Sequence, residues 1–169
     1  MIVADAGPLI IFGKTCGVKL IKAVVEEILV PPAVVTECTA DMRMPGAMAI
    51  REALDTRLLT LLDSVDAAEL SKDLLLLDNG EKEAIAAAHA RHCGVLLDET
   101  VGRAVARKLG VPTIGSLGLL LKAKEMGLIA KIGPVIEQWR AANYFLSKDL
   151  VAAALERAGE HKRSADKKS

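Results

Sequence analysis

The chain has 169 residues, the length of one ordinary domain. Hydrophobic residues make up 51% of it and aromatic residues only 2%, so the core must consist of closely packed aliphatic side chains. Lys and Arg together number 22, as do Asp and Glu, so the formal net charge is zero. This balance excludes a generally basic protein that coats nucleic acid, and four aromatic residues leave few platforms for base stacking.

The location of the protein is predicted from what the sequence lacks. No run approaches about 18 uninterrupted apolar residues, so we expect no membrane-spanning segment. The N-terminus has neither a basic region nor a small-residue cleavage site, so we expect no signal peptide. Cys16, Cys38 and Cys93 lie far apart and form no Cys-x-x-Cys pair, which is typical of reduced thiols. We therefore expect a cytoplasmic protein.

Short apolar runs alternate with helical patterns along the chain. The runs predict buried parallel strands at residues 2–4, 27–30, 94–97 and 111–114. The helical patterns cover residues 46–59, 66–76, 80–92, 100–109 and 116–126, although residues 58–62 could instead form a short strand. This alternation predicts an α/β fold, a three-layer α/β/α sandwich with a mostly parallel central sheet. We expect one domain over residues 1–155 and a polar, disordered tail over residues 156–169.

Acidic residues follow the predicted strands. Asp5 ends the first strand, Asp98 and Glu99 follow the third, Glu37 lies in the helix after the second, and Glu81 opens the helix at residues 80–92. Because ligands bind at the carboxyl ends of parallel strands, we expect these side chains at one edge of the sheet. Clustered carboxylates repel one another unless a cation neutralises them, and Mg²⁺ and Mn²⁺ prefer oxygen ligands. The pattern predicts a metal site that could activate water for phosphodiester hydrolysis.

Each acid also has a purely structural interpretation. Asp5 and Asp98 could cap the helices that follow them, and Asp78 and Glu81 have the spacing of a capping box. Glu37 could lie on the solvent side of its helix. Capping explains why acids begin helices, but it does not explain Glu37 inside an otherwise uncharged turn. Considered jointly, the acids favour a metal site over separate structural roles.

Four segments together resemble the PIN-domain nucleases. They are IVADAGPLI at the start of the chain, PPAVVTEC at residues 31–38, LDNGEKEAIAAAH at 77–89 and VLLDETVGRAVARKLGVPTIGSLGLLLKAKEMGLI at 95–129. The similarity runs in register to about residue 150 and points to a prokaryotic VapC-like, DUF3368-type subgroup found in toxin–antitoxin pairs. It implies the three-layer fold and a Mg²⁺- or Mn²⁺-dependent endoribonuclease.

The resemblance also implies roles for individual residues. The catalytic acids and metal ligands would be Asp5, Glu37, Glu81 and Asp98, with Glu99 as a further ligand. Arg103 falls where the subgroup tends to have an arginine, which could bind a phosphate or a carboxylate, or form a surface salt bridge. Partners implied by the resemblance are an RNA substrate, a small antitoxin that covers the acidic cleft, and a second copy in a homodimer. Zero net charge and the aliphatic surplus permit an apolar dimer surface.

The sequence departs from the family pattern at three places. Many relatives outside this subgroup have a further acid where Gly115 and Ser116 stand, many relatives have a hydroxyl residue where Ala6 stands, and the common Asp-Asp pair is Asp98-Glu99 here. The alternative function is therefore a catalytically weak or inactive PIN module that binds RNA or a partner. A different metal-dependent phosphotransfer enzyme is disfavoured, because Gly7 stands where its second aspartate would be. Few aromatic residues predict recognition through backbone and shape, with little base stacking.

Overall fold

A computed structural model of the chain describes residues 1–63 and 72–160. The strands are β1 (Ile2–Ala4), β2 (Ile28–Val30), β3 (Thr60–Leu61), β4 (Gly94–Leu96) and β5 (Thr113–Ile114). The helices are α1 (Ala6–Lys14), α2 (Val18–Val24), α3 (Pro32–Cys38), α4 (Pro45–Asp55), α5 (Asn79–Ala90), α6 (Thr100–Lys108), α7 (Ser116–Glu125), α8 (Gly133–Ala141) and α9 (Lys148–Arg157), with a 3₁₀ helix at Lys72–Leu76. None of these described helices is long and apolar enough to cross a membrane.

The strands form one sheet in the order β3-β2-β1-β4-β5, and every neighbouring pair is parallel. β1 lies at the centre, with Val3 opposite Leu29 on one side and Val95 on the other. In chain order, β2 and β3 lie on one side of β1, whereas β4 and β5 lie on its other side. The connections that follow β1 and β4 therefore run toward opposite edges of the sheet. This parallel sheet confirms the predicted α/β class.

Helices cover both faces of the sheet. α1, α2, α4 and α7 pack together, whereas α5 packs on β1 and β4 and contacts α6. Connections between parallel strands are right-handed, so connections that run toward opposite edges of the sheet place their helices on opposite faces. These two groups of helices therefore form the outer layers of the predicted three. Val3, Val30 and Val95 have no exposed surface, but Leu61 in edge strand β3 is 56% exposed. Burial on both faces, as predicted, holds for the central strands and fails at the edges.

Most predicted elements are present, with shifted ends. The helix predicted to residue 59 ends at Asp55, because Arg57 adopts a left-handed conformation with φ 58° and the chain turns into β3. The alternative of a short strand within residues 58–62 is therefore correct. Of the helix predicted at residues 66–76, the described end is a 3₁₀ helix, and the rest lies outside the described residues. The sequence patterns do not predict α2, α8 or α9.

An aromatic cluster attaches α8 to α1. The buried Trp139 lies between Phe12 and Tyr144, with ring centroids 5.4 and 5.8 Å away, and both contacts are edge to face. This geometry is the one that aromatic quadrupoles favour. The indole Nε1 donates to the hydroxyl of Thr15 at 3.1 Å. The cluster fixes Tyr144 directly after α8.

The C-terminal boundary differs from the prediction. α9 continues to Arg157, and the Glu160 carboxylate accepts hydrogen bonds from the N–H groups of Ile132 and Gly133 at 2.8 and 2.9 Å. Lys124 donates to the same carboxylate at 2.7 Å. Residues 156–160 therefore belong to the folded part, because Glu160 satisfies the free N–H groups at the start of α8. Residues 161–169 of the predicted tail lie outside the described residues.

Replacing Glu160 with Ala is expected to lower the free energy of unfolding by about 1–3 kcal/mol, because buried N–H groups lose their acceptor. Urea denaturation of purified protein measures the change, with the exposed Glu156→Ala as the matched control. Equal midpoints for Glu160→Ala and the wild type would show that this contact contributes nothing to stability.

The three cysteines are free thiols. Cys38 is buried, and burial raises its pKa to about 12. Cys16 and Cys93 are half-buried, and burial raises the pKa of each thiol above its ordinary value. Since the thiolate is the reactive form, all three react slowly near neutral pH.

Candidate functional site

The carboxyl ends of β1 and β4 lie side by side at the centre of the sheet. Asp5 follows β1 directly, and its N–H donates to the carbonyl of Leu96, the last residue of β4, at 3.0 Å. Asp98 lies two residues beyond Leu96. Connections diverge to opposite faces at this point, which is where open parallel sheets have their binding crevice. The structure brings Asp5 and Asp98 to one cleft of about 380 Å³, as the strand ends predict.

Asp5 is a buried carboxyl group, and a hydrogen bond from the backbone N–H of Ala6 offsets part of the effect of burial on its pKa. It occupies the N-cap position of α1, but its side chain makes no capping hydrogen bond, so the capping interpretation is wrong. Asp5 is only 8% exposed. Burial raises the pKa of Asp5 to about 7, and the negative charges of Glu37, Glu81 and Asp78 add to the increase. A nearby cation would favour its ionised form.

Glu81 and Glu37 belong to the same electrostatic group. Glu81 lies in the first turn of α5 and is buried, and burial followed by the charge of Asp78 raises its pKa. Glu37 lies in the last turn of α3, and most of its surface is exposed. Partial burial of its carboxyl group, followed by the charge of Asp78, raises its pKa as well. Asp78 caps α5, since its Oδ1 accepts from the N–H of Glu81 at 2.8 Å. Capping is therefore confirmed for Asp78, and its charge also acts on the site.

Close helix contacts place these glutamates. A Cβ on Gly80 would lie 2.9 Å from Oε2 of Glu37, and a Cβ on Gly102 would lie 3.0 Å from Oε1 of Glu81. Glycine at both positions lets the carboxylates approach the backbone of α5 and α6. The Glu83 carboxylate in α5 accepts from a first-turn N–H of α3 at 2.9 Å. This bond fixes the start of α3 against α5 and so positions Glu37 near Glu81.

Asp98 is held by a hydrogen-bond network. Its Oδ1 accepts from the backbone N–H of Ser116 at 2.8 Å, and its Oδ2 accepts from the Ser116 hydroxyl at 2.5 Å and from the Tyr144 hydroxyl. A Cβ on Gly115 would lie 2.8 Å from Oδ1, so glycine is needed there. Asp98 does not cap α6, whose N-cap position is Glu99. A carboxylate has about four acceptor directions, so one direction of Asp98 remains for a further ligand.

Tyr144 is the site residue that the sequence patterns miss. Burial and the Asp98 charge raise the pKa of its hydroxyl, so the group stays protonated and donates. The two residues are 46 positions apart, and no motif or periodicity connects them. The one feature of the sequence that could draw attention to Tyr144 is the scarcity of aromatic residues. Ser116, which stands where relatives outside the subgroup have a further acid, holds Asp98 in place through its N–H and its hydroxyl.

Glu99 and Arg103 lie at the border of the cleft. Glu99 is exposed and lines the cleft beside Asp98. Arg103 is half-buried in α6, and its Nη1 donates to the carbonyl of Leu97 at 2.9 Å. It faces a neighbouring groove of about 600 Å³, which Asp98 also lines. Its contact with a phosphate stays a prediction.

The donor chemistry suits a divalent ion, but a compact ligand set is not preformed. All the acids offer oxygen, which hard cations such as Mg²⁺ and Mn²⁺ prefer. Over residues 1–63 and 72–160, no three His, Cys, Asp or Glu side chains are close enough to hold a metal ion. Asp5, Glu37 and Glu81 interact electrostatically, while Asp98 is turned toward Ser116 and Tyr144. Water ligands would therefore have to complete the coordination of any bound ion.

Comparison with known proteins agrees with the fold and the cleft. The family model DUF3368, described as a PIN domain, matches residues 1–160. No curated protein matches the chain. PIN-domain proteins are generally nucleases that hydrolyse phosphodiester bonds, and they typically use divalent metal ions. Because the match covers almost the whole length, the chain belongs to the DUF3368 family of PIN domains.

Proposed function

We propose that the chain is a Mg²⁺- or Mn²⁺-dependent endoribonuclease whose site is the cleft between Asp5 and Asp98. One observation carries the proposal: the buried Asp5 lies at a central strand end beside the half-buried Asp98, and its pKa is raised to about 7 by burial and neighbouring carboxylates. Maintaining such repulsion in the folded protein costs free energy, and a cation would relieve it. Catalytic sites commonly contain groups perturbed in this way.

The residues of the cleft have distinct parts in this proposal. Asp5 and Asp98 would hold the ion, Asp98 through its one remaining acceptor direction, while Glu37 and Glu81 add negative charge behind Asp5. When bound, the ion would lower the pKa of a water molecule and neutralise charge that develops on the phosphoryl oxygens. Tyr144 and Ser116 would keep the Asp98 carboxylate in its orientation.

The direct experiment is an incubation of the purified chain with end-labelled RNA. We expect internal cleavage in Mn²⁺ and none in excess EDTA, because the acids alone repel the phosphate. The exposed Asp55→Asn variant on α4 is the control and should cleave like the wild type. Undiminished cleavage in EDTA, or intact RNA in Mn²⁺ at high enzyme concentration, would contradict the proposal.

Tyr144→Phe is expected to reduce Mn²⁺-dependent cleavage by about 10- to 100-fold, because groups that orient metal-binding carboxylates typically have effects of this size. The ring and its contact with Trp139 remain, so the folded structure should persist. Mn²⁺ titration by calorimetry should show a matching loss of affinity. Unchanged affinity and rate would mean that the hydroxyl does not position Asp98.

A catalytically weak or inactive PIN module is the second candidate. It is favoured by the absence of a preformed three-ligand group in the described part of the chain and by the three hydrogen bonds that occupy Asp98. The same calorimetric titration separates the candidates: no heat of Mn²⁺ binding, together with retained RNA binding, supports the inactive module.

The biological role that we infer is the toxin of a toxin–antitoxin pair, acting as a VapC-like homodimer in the cytoplasm. Support comes from the family membership and from the acidic cleft, which a small antitoxin could cover. Induced expression in a bacterium should arrest growth, and the Asp5→Asn variant should not. A short neighbouring reading frame whose product restores growth would identify the antitoxin, and sedimentation would measure the dimer.

A further inference from the structure

Phe145 is an exposed aromatic ring beside the acid cleft. Its residue is 75% exposed, whereas Phe12 and Trp139 are almost completely buried. It lines the same cleft as Asp5 and Asp98. A single exposed apolar side chain is ordinary. Phe145 differs because it lies next to the acids of the cleft, in a chain with only four aromatic residues, so its exposure needs a physical explanation.

The backbone around Phe145 is fixed on both sides. Asn143 adopts a left-handed conformation with φ 59°, and Tyr144 binds back to α8 through its N–H and to the site through its hydroxyl. Leu146 packs against the core, and Ser147 caps α9 by accepting a hydrogen bond at 3.2 Å. Exposure alternates along this extended segment, so the ring of Phe145 projects outward from an anchored backbone.

The cleft has two chemically different walls. Asp5, Asp98 and Glu99 supply carboxylates, and Phe145 and Leu150 supply apolar surface. A nucleotide has matching parts: a phosphate that a cation would link to the acids, and a flat base that can stack on an aromatic ring. The cleft volume of about 380 Å³ lies in the range of small-ligand sites, about 300–1,000 Å³.

We propose that Phe145 stacks on an unpaired nucleobase next to a phosphodiester bound between Asp5 and Asp98. This inference rests on the proposed function for its ligand class. Every base has a face that can stack, so the contact is tolerant of sequence. A base within a duplex is already stacked on its neighbours and has no free face. Stacking would thus depend on one ring, although the composition predicts little of it.

Binding tests the inference separately from cleavage. The probe is a single-stranded RNA of about ten nucleotides containing 2-aminopurine, mixed with protein that keeps Asp5, in Ca²⁺ in place of Mn²⁺, so that the acids still hold an oxygen-liganded cation while binding is measured without cutting. Phe145→Ala should weaken binding by about five- to 150-fold and relieve the quenching of 2-aminopurine fluorescence. Phe145→Tyr should preserve both. Met48→Ala removes another exposed apolar side chain, 60% exposed, from a different groove and serves as the control.

Three results would overturn the inference. The first is equal affinity of Phe145→Ala and the wild type for the single strand. The second is an equal loss of affinity for a duplex of the same sequence. The third is full binding by Phe145→Leu, which would show a general apolar contact. If the first result came with slower sedimentation of Phe145→Ala, it would also assign the ring to self-association. Phe145-dependent binding without any cleavage by the wild type would support the stacking and contradict the nuclease.

Discussion

Asp5→Asn is expected to abolish Mn²⁺-dependent RNA cleavage and, at pH 8, to raise the free energy of unfolding. Removing a charged group that stabilises the transition state typically costs about 100- to 1,000-fold in rate. Stability should change in the opposite direction, because burial, and after it the charges of Glu37, Glu81 and Asp78, disfavours the ionised carboxylate at position 5. The amide has nearly the same shape and no charge.

The pH dependence of this difference follows from the two pKa values. The pKa of Asp5 is about 7 in the folded chain and 3.8 in the unfolded reference, so the folded state binds the proton more tightly. Below pH 3.8 the group contributes its full share of stability, and this share is lost as the pH rises through 7. At about 1.4 kcal/mol for each pKa unit, the loss amounts to at most about 4 kcal/mol. Urea denaturation in EDTA between pH 4 and pH 8 should therefore show Asp5→Asn gaining on the wild type.

Asp55→Asn is the control for both measurements, since it makes the same substitution at an exposed acid that does not line the cleft. Adding Mn²⁺ at pH 8 should stabilise the wild type and leave Asp5→Asn unchanged, because only the wild type has the ionised ligand. A stability difference between Asp5→Asn and the wild type that stays constant from pH 4 to pH 8 would show that Asp5 is not a strained acid. Full cleavage by Asp5→Asn would remove it from the mechanism.

Asp98→Asn should abolish cleavage as well, but it should destabilise the chain. The carboxylate accepts from the Ser116 N–H at Oδ1 and from the Ser116 and Tyr144 hydroxyls at Oδ2. An amide offers one acceptor oxygen, so the hydroxyls would have to turn and accept from its NH₂ group. Loss of these charge-assisted bonds should lower the free energy of unfolding by about 1–3 kcal/mol, measured in urea at pH 8.

Ser116→Ala separates structure from chemistry at this position. It removes one hydroxyl bond to Asp98 and leaves the carboxylate, so it should lose about 1 kcal/mol of stability and retain most of the cleavage. If Asp98→Asn proved as stable as the wild type, the network would have no energetic role. If its cleavage rate were normal, the site would have to be centred on Asp5 and the glutamates alone.

The sequence predicts those parts of the site that depend on regular structure. Asp5 and Asp98 meet because each follows a short buried strand, and parallel strands end at the same edge. Glu81 is predictable for the same reason, since it opens the helix that leads into the next strand. Glu37 is predictable as the one charge in an otherwise uncharged segment, and the resemblance gives it the same part in the site.

The remaining parts depend on contacts between distant segments. Tyr144 reaches Asp98 because α8 is packed by Trp139, and the pattern of α8 does not reveal where its end will lie. The sequence spacing indicates that Asp78 caps α5, but it does not indicate that the charge of Asp78 also raises the pKa of Asp5. The polar neighbours of Glu160 predict a disordered tail, yet the Glu160 carboxylate accepts hydrogen bonds from three donors and ties the segment to the folded part.

The state of the cysteines makes the chain suitable for site-directed labelling. Burial suppresses the thiolate at Cys16, Cys38 and Cys93, so maleimide reagents at neutral pH should modify them slowly. A new cysteine on exposed surface, such as Met48→Cys, would then react first without prior removal of the native thiols. Fluorophores or spin labels attached there could report distances between two copies of the chain while its core stays unmodified.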